Sequence, residues 1–292
     1  MKQIKVLLDW FPNTNHTGYF VALEKGYYKA EGLDVRIYGK VHGQMTVEDA
    51  DIVVAPQPSL LMGMEAGDEF TAVAVQAQRG DSGILSLKES GITRLAELTG
   101  KRLTHWKPAW FHKVVGKAVN EDGGNYSQVK LIQQDVGDIE DALGRVADAV
   151  WVYKNWEYFV MKHAGHEVNY FAFVDYGEVY DFCAPALAAR HSFIEREPEA
   201  LRAFLGATER GYIDAANDPE EGAALLYPHM EAGWSIELVQ DSQRYISPFY
   251  LDGEDRWGRI RPARWEVFAD WMVAEGLLQS RMEREWTNEF LR

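Results

Sequence analysis

The sequence predicts an α/β protein of two units. Its 292 residues suit one large or two ordinary domains at roughly 150 residues each. Short β-rich runs alternate with stretches of helical period, which is the pattern of βαβ units and of a parallel sheet. That alternation then occurs a second time along the chain, with no internal repeat or low-complexity linker.

In the first unit, Ile4-Lys5-Val6-Leu7-Leu8 reads as a strand that Asp9-Trp10-Phe11-Pro12-Asn13 breaks into a loop. Tyr19 to Tyr28 has helical spacing and stops at Gly32. Leu33 to Tyr38 alternates as a half-buried strand. Asp51 to Ala55 and Thr71 to Val75 read as further strands around a short helix near Leu60–Ala66. In the second unit, helical stretches are expected at Thr93–Leu98, Phe111–Asp122 and Ile139–Val146. They alternate with strands at Gly100–Thr104, Val129–Ile132, Asp148–Val152 and Asn169–Phe173. Ala184–Ala189 then reads as a strand returning to the first unit, and Pro198 to Leu291 is helical in period. Chain crossings near Arg79–Ser86 and Gly177–Ala184 divide the chain into residues 1–82 plus 181–292, and 83–180.

Charge excludes a function class. With 30 Lys+Arg against 45 Asp+Glu the net charge is −15, whereas coating a nucleic acid requires a basic surface. Apolar residues at 47% and charged residues at 26% are the balance of a globular chain. The longest uncharged apolar stretch, Ile52 to Met64, holds two prolines and is too short to span a bilayer. The apolar run at the N-terminus is broken at Asp9, so no export signal is written there. That leaves a cytoplasmic protein if Met1 is native, or a periplasmic or extracytoplasmic one if a signal was trimmed.

The single cysteine, Cys183, excludes an intrachain disulfide and a multi-thiolate metal site. Gly80-Asp81-Ser82-Gly83 matches the tetrad around a serine nucleophile, but an α/β pattern surrounds it, and a turn at a crossing is the better reading. His163 and His166 read as solvated helix-end residues because no strong ligand motif accompanies them. Gly123-Gly124 follows a helix, as a cap does, whereas a phosphate loop would precede one. No metal, nucleotide or other cofactor is expected.

Aromatic residues after predicted strands are more informative. Trp10, Trp106, Trp110, Tyr153 and Trp156 follow strands at the carboxyl ends where open α/β sheets bind ligands. Asn13, Asn15, His16, Lys107, Asn155 and Glu157 stand beside them. Stacking surfaces with a carboxylate suit a flat heteroaromatic that carries exocyclic amines.

Two segments then become recognisable. Leu8-Asp9-Trp10-Phe11-Pro12-Asn13-x-Asn15-His16-x-Gly18 is followed by Ala22-Leu23-Glu24-Lys25-Gly26-Tyr27-Tyr28 and Glu31-Gly32-Leu33-Asp34-Val35. With Asn155-Trp156-Glu157 and Val174-Asp175-Tyr176-Gly177, they resemble the thiamine-pyrimidine binding family. That family holds ABC-transporter binding proteins for pyrimidine precursors of thiamine and the fungal pyrimidine-phosphate synthase.

The resemblance implies a two-lobed periplasmic-binding-protein-like fold of type II with a ligand cleft between lobes. By the same resemblance Trp10 would stack on the pyrimidine and Glu157 would accept hydrogen bonds from its amino group. Asn13, His16, Tyr153, Trp156, Asp175 and Tyr176 are carried over with them, and Gln57, Trp106 and Asn155 complete the expected ligand-binding set. The implied partners are an aminopyrimidine and an ABC transporter permease, with the protein itself a monomer.

Departures from the family pattern fall at Gly39 to Ala50, which is shorter than usual, and at Trp106-Lys107-Pro108-Ala109-Trp110, which replaces a Gly-rich loop. Where the synthase branch carries a pyridoxal-phosphate lysine and a histidine, this chain has Ala55 and Ser59, and of the cysteine cluster only Cys183 remains. A binding protein is therefore expected, with a synthase-like cytosolic enzyme or a ligand sensor as the alternatives.

Overall fold

Alternating burial begins at once. In the computed structural model, which describes residues 1–39, 45–105, 109–134 and 139–291, Ile4 and Val6 point into the core while Gln3 is exposed. The strands in chain order are β1 (Lys2–Leu7), β2 (Leu33–Tyr38), β3 (Ile52–Ala55), β4 (Phe70–Val75), β5 (Ser82–Leu87), β6 (Arg102–His105), β7 (Lys130–Gln133), β8 (Val150–Tyr153), β9 (Val168–Ala172) and β10 (Ala186–Arg190). They divide between two units: Met1–Arg79 with Phe182–Val273 and Leu278–Arg292, and Gly80–Asp181 with Ala274–Leu277.

The first unit is built on a five-stranded sheet in the order β2-β1-β3-β10-β4. β1 runs parallel to β2 and β3, but β10 is antiparallel to both β3 and β4. The sheet is thus mixed and not purely parallel. The register explains why: Ala186, the first residue of β10, sits opposite Val75, the last residue of β4. The chain re-enters this unit at the end where it left, so its first strand back must run the other way.

β4 would be an open edge, which sheets tend to cover. The C-terminal segment covers it: Ala72 donates to the Glu285 carbonyl (2.9 Å), Thr287 donates to the Ala72 carbonyl (2.8 Å), and Val75 donates to the Gly258 carbonyl (2.9 Å). Helical period therefore fails after the helix Pro262–Ala274, because the last residues serve a sheet edge.

Two helices of this unit pack so closely against each other that side chains are excluded between them. A Cβ on Gly211 would lie 2.0 Å from the Gly18 carbonyl oxygen, and one on Gly18 would lie 2.1 Å from the Tyr212 ring. This brings the helix Thr17–Glu24 onto the helix Pro198–Asn217. Tyr212 stacks on Trp257 with centroids 4.7 Å apart and donates its hydroxyl to the Asn15 carbonyl at 2.7 Å. The helix Ile236–Ile246 adds Ser242, whose hydroxyl bonds that of Thr14 at 2.6 Å, and Gln243, which accepts from the Thr17 hydroxyl at 2.6 Å. The turn after β1 is thus held from two helices far away in sequence.

Ser235 caps the second of these helices by accepting from the Leu238 N–H. Removing an N-cap hydroxyl costs about 1 kcal/mol. Ser235→Ala should lower the melting temperature by about 2–4 °C in thermal unfolding, and Ser235→Asp should restore it.

In the second unit β5 lies at the centre of an antiparallel sheet, β8-β5-β9, and β6 pairs in parallel with β7. A parallel bridge from Leu103 to Ala149 joins the two sheets' strands. β5 replaces part of the expected crossing at Arg79–Ser86 with a strand. Its start is rich in small residues for a steric reason: a Cβ on Gly83 would lie 2.3 Å from the Phe171 carbonyl oxygen and 2.7 Å from the Tyr170 ring. The expected helix Ile139–Val146 is shorter, Ile139–Ala142, because Gly144 turns at φ +87° and Leu143 bridges to Ala147.

Candidate functional site

In the first unit the candidate residues cluster after β1. Trp10 is half-buried, with its ring centroid 5.8 Å from that of Phe11. Phe11 in turn stacks on Trp234, 6.3 Å away at 17°, from the turn that precedes the helix Ile236–Ile246. Three aromatic rings that are each partly open to solvent form one surface. Trp234 was not legible as a site residue, since it lies far away in sequence and follows no strand.

Asn13 sets the loop beneath that surface. Its side-chain oxygen accepts from the Asn15 N–H at 2.9 Å and its amide donates to the Phe11 carbonyl at 3.1 Å. Its backbone N–H donates to Nδ1 of His16 at 3.3 Å, so the ring hydrogen sits on Nε2, which donates to Asp9 Oδ1 at 2.9 Å. His16 is fully buried and holds the loop through both nitrogens. Gln57 is likewise engaged within the protein: its amide donates to the Trp265 carbonyl at 2.8 Å and accepts from the Cys183 N–H at 3.0 Å. It ties the helix Gln57–Glu65 to the strand that returns at β10.

The second unit gathers Tyr153, Asn155 and Glu157 where β8 ends in a wide π-type turn, Lys154–Tyr158. Such turns are rare and frequent at functional sites. Glu157 reaches back to accept from the Tyr153 N–H at 3.1 Å. Burial pushes its carboxyl up to about 7, with the negative charge of Asp81 adding to the rise and the N–H groups of Glu157 and Tyr153 opposing it. Its surface is half-buried, so the group keeps a path to solvent or ligand while dense protein surrounds most of it.

Asp81, only 4% exposed, was not legible as a site residue. Its carboxylate accepts from the Asn155 N–H at 2.9 Å. Its carbonyl accepts from the Lys154 N–H at 3.0 Å and from the Tyr170 hydroxyl. Burial raises its carboxyl to about 6, against the N–H of Asn155 and its own N–H and the charge of Lys154. Lys154 lies 5.1 Å from the Tyr158 ring centroid and 5.2 Å from that of Tyr170.

Other candidates fall elsewhere. Trp156 and Trp110 are core residues at 3% and 1% exposure, and Trp110 meets Trp151 edge-on at 5.6 Å. Large aromatics fill cores as readily as they line sites. Asp175 is exposed on the turn Phe173–Tyr176. Tyr176 lies with the Arg94–Asp122 ion pair, where burial and then the Asp122 charge raise its hydroxyl pKa. Trp106, Lys107 and part of the 39–50 stretch lie outside the described residues. Among the described residues, no group of three or more His, Cys, Asp or Glu side chains is placed to hold a metal ion.

These features have relatives. The chain is 28% identical, over 98% of its length and 89% of the relative's, to the formylaminopyrimidine-binding protein of Halalkalibacterium halodurans. It is 23% identical to the riboflavin-binding protein RibY of Chloroflexus aurantiacus, over 100% of this chain and 86% of that one. It is 22% identical to the 4-amino-5-hydroxymethyl-2-methylpyrimidine phosphate synthase of Legionella pneumophila, over 88% and 84%. Binding proteins and an enzyme thus share this sequence pattern.

Among solved structures, the alkanesulfonate-binding protein SsuA of Xanthomonas axonopodis pv. citri superimposes with a TM-score of 0.75 at 13% identity, covering 97% of this chain and 96% of that one. The architecture is that of periplasmic binding proteins. The family model described as NMT1/THI5 like matches residues 13–222, and the chain belongs to that family.

Proposed function

We propose that this protein is the solute-binding component of an ABC importer and that its ligand is an aminopyrimidine precursor of thiamine. Glu157 carries the reading. An ionised carboxylate is acceptor-only, which suits the two N–H donors of a 4-amino group, and charge-assisted bonds of this kind are about twice as strong as neutral ones. Its carboxyl near neutrality also matches a ring nitrogen with which it could share a proton. Trp10 offers a partly open ring for stacking. The likeness to the formylaminopyrimidine-binding protein of Halalkalibacterium halodurans supports the same ligand class. No bond-making step is assigned to these residues. Action outside the cytoplasmic membrane goes with this role, and among the described residues no helix is long and apolar enough to cross a membrane.

Isothermal titration calorimetry at pH 8 tests the reading. Formylaminopyrimidine and 4-amino-5-hydroxymethyl-2-methylpyrimidine should each give saturable heat with one site per chain. Riboflavin, a larger flat heterocycle, is the comparison. Saturation by riboflavin with no heat from either pyrimidine would transfer the site to another ligand class, and no heat from any of the three would end the solute-binding reading of this site.

A further inference from the structure

We infer that Asp81 is a positioning residue for ligand recognition: its carboxylate and carbonyl fix the turn that presents Glu157. The inference rests on the reading of Glu157 as a ligand contact.

Four features assign this role. The two N–H groups that open the turn, those of Lys154 and Asn155, both donate to Asp81, one to its carbonyl and one to its carboxylate. The Tyr170 hydroxyl donates to the same carbonyl from β9. Gly83, two residues on, provides the only shape that lets the Tyr170 ring lie so close to β5. Ser82 is in register with Tyr153, so Asp81 continues β5 alongside the first residue of the turn. A free helix of π type leaves its first N–H groups unsatisfied; here a buried acid from the neighbouring strand takes one of them.

Asp81 also acts on Glu157 through its charge. The charged and titratable groups around the pair are Tyr153 at the end of β8, Lys154 and Tyr158 on the turn and Tyr170 on β9, while Asp181 accepts from the N–H of Gly80, the residue before Asp81, at 2.7 Å. The helix Phe159–His163 that continues the turn carries Lys162 and His163, both exposed. Lys154 is the cation that opposes the rise at Asp81, and Asp81 is the anion that raises Glu157.

Asp81→Asn keeps an acceptor for the Asn155 N–H and removes the charge, whereas Asp81→Ala removes both. The full chain is titrated with 4-amino-5-hydroxymethyl-2-methylpyrimidine between pH 5.5 and 9, and the Glu157 carboxyl is followed by carbon NMR in the ligand-free protein. Asp81→Asn should move the Glu157 midpoint below its wild-type position and shift the acid limb of the affinity profile to lower pH with it. Asp81→Ala should lose at least fivefold in affinity across the range. A Glu157 midpoint and affinity profile unchanged in Asp81→Asn would overturn the inference, whether or not Asp81→Ala folds. Should wild type fail to bind the pyrimidine, the ligand reading falls while the NMR midpoint still decides whether Asp81 governs Glu157.

Discussion

Glu157→Gln should bind 4-amino-5-hydroxymethyl-2-methylpyrimidine at least thirtyfold more weakly at pH 8, and its ligand-free form should melt at a higher temperature than wild type. The two effects have different origins. Glutamine keeps the shape and can still accept from the Tyr153 N–H. It removes the charge, however, and turns one oxygen into a donor that faces the ligand's own donors. A buried mispaired donor costs about 1–3 kcal/mol, and loss of the charge-assisted contribution brings the total to about 2–4 kcal/mol.

The stability effect follows from the proton. In the fold this carboxyl is held up to about 7, whereas an unfolded glutamate titrates near 4.3. The folded chain therefore binds the proton more tightly. Stability from this group is complete below the unfolded value and falls as pH rises toward 7. At pH 8 wild type holds a buried negative charge that the glutamine variant lacks. The gain in melting temperature should be a few degrees at pH 8 and vanish toward pH 4. A variant that melts lower at pH 8 and keeps its ligand affinity would make Glu157 a structural residue.

Trp10→Ala should weaken binding by about thirtyfold or more, and Trp10→Phe by clearly less. An aromatic pair contributes about 0.5–1.5 kcal/mol beyond area burial. Contact over roughly 60 Å² of apolar surface at about 25 cal/mol/Å² adds about 1.5 kcal/mol. Alanine removes both contributions, while phenylalanine retains a ring of smaller area. The fold should tolerate either change, because Trp10 is half-buried and the loop below it is held by Asn13, His16 and Asp9. Calorimetry on the two variants decides: equal affinity for Trp10→Ala and wild type would remove Trp10 from the site.

How much of this was legible depended on whether a residue's role is local. Leu33–Tyr38 alternates along its length and appears as β2 with those bounds. The helix Pro198–Asn217 likewise begins at its proline, because a proline at the first turn and an apolar stripe are both local signals. β5 was hidden because its first residues are small for the sake of Tyr170 and Phe171, nearly ninety positions on. The tail lost its helical period to the edge of β4, another long-range demand.

The same division runs through the candidate site. Trp10 and Glu157 were conspicuous as an aromatic and an acid beyond strand ends, and the structure leaves both partly open. Gln57 and His16 have equally polar side chains, but the partners that occupy them, Trp265, Cys183 and Asp9, are visible only in the fold. Asp81 is the converse: its surrounding tetrad reads as a turn, and its importance comes from backbone N–H groups of the turn that follows β8.

A crystal structure of the protein with 4-amino-5-hydroxymethyl-2-methylpyrimidine bound tests the central claim most directly. The exocyclic amino group should lie about 2.7–3.2 Å from a Glu157 carboxylate oxygen. A bound pyrimidine that does not touch Glu157 would contradict it.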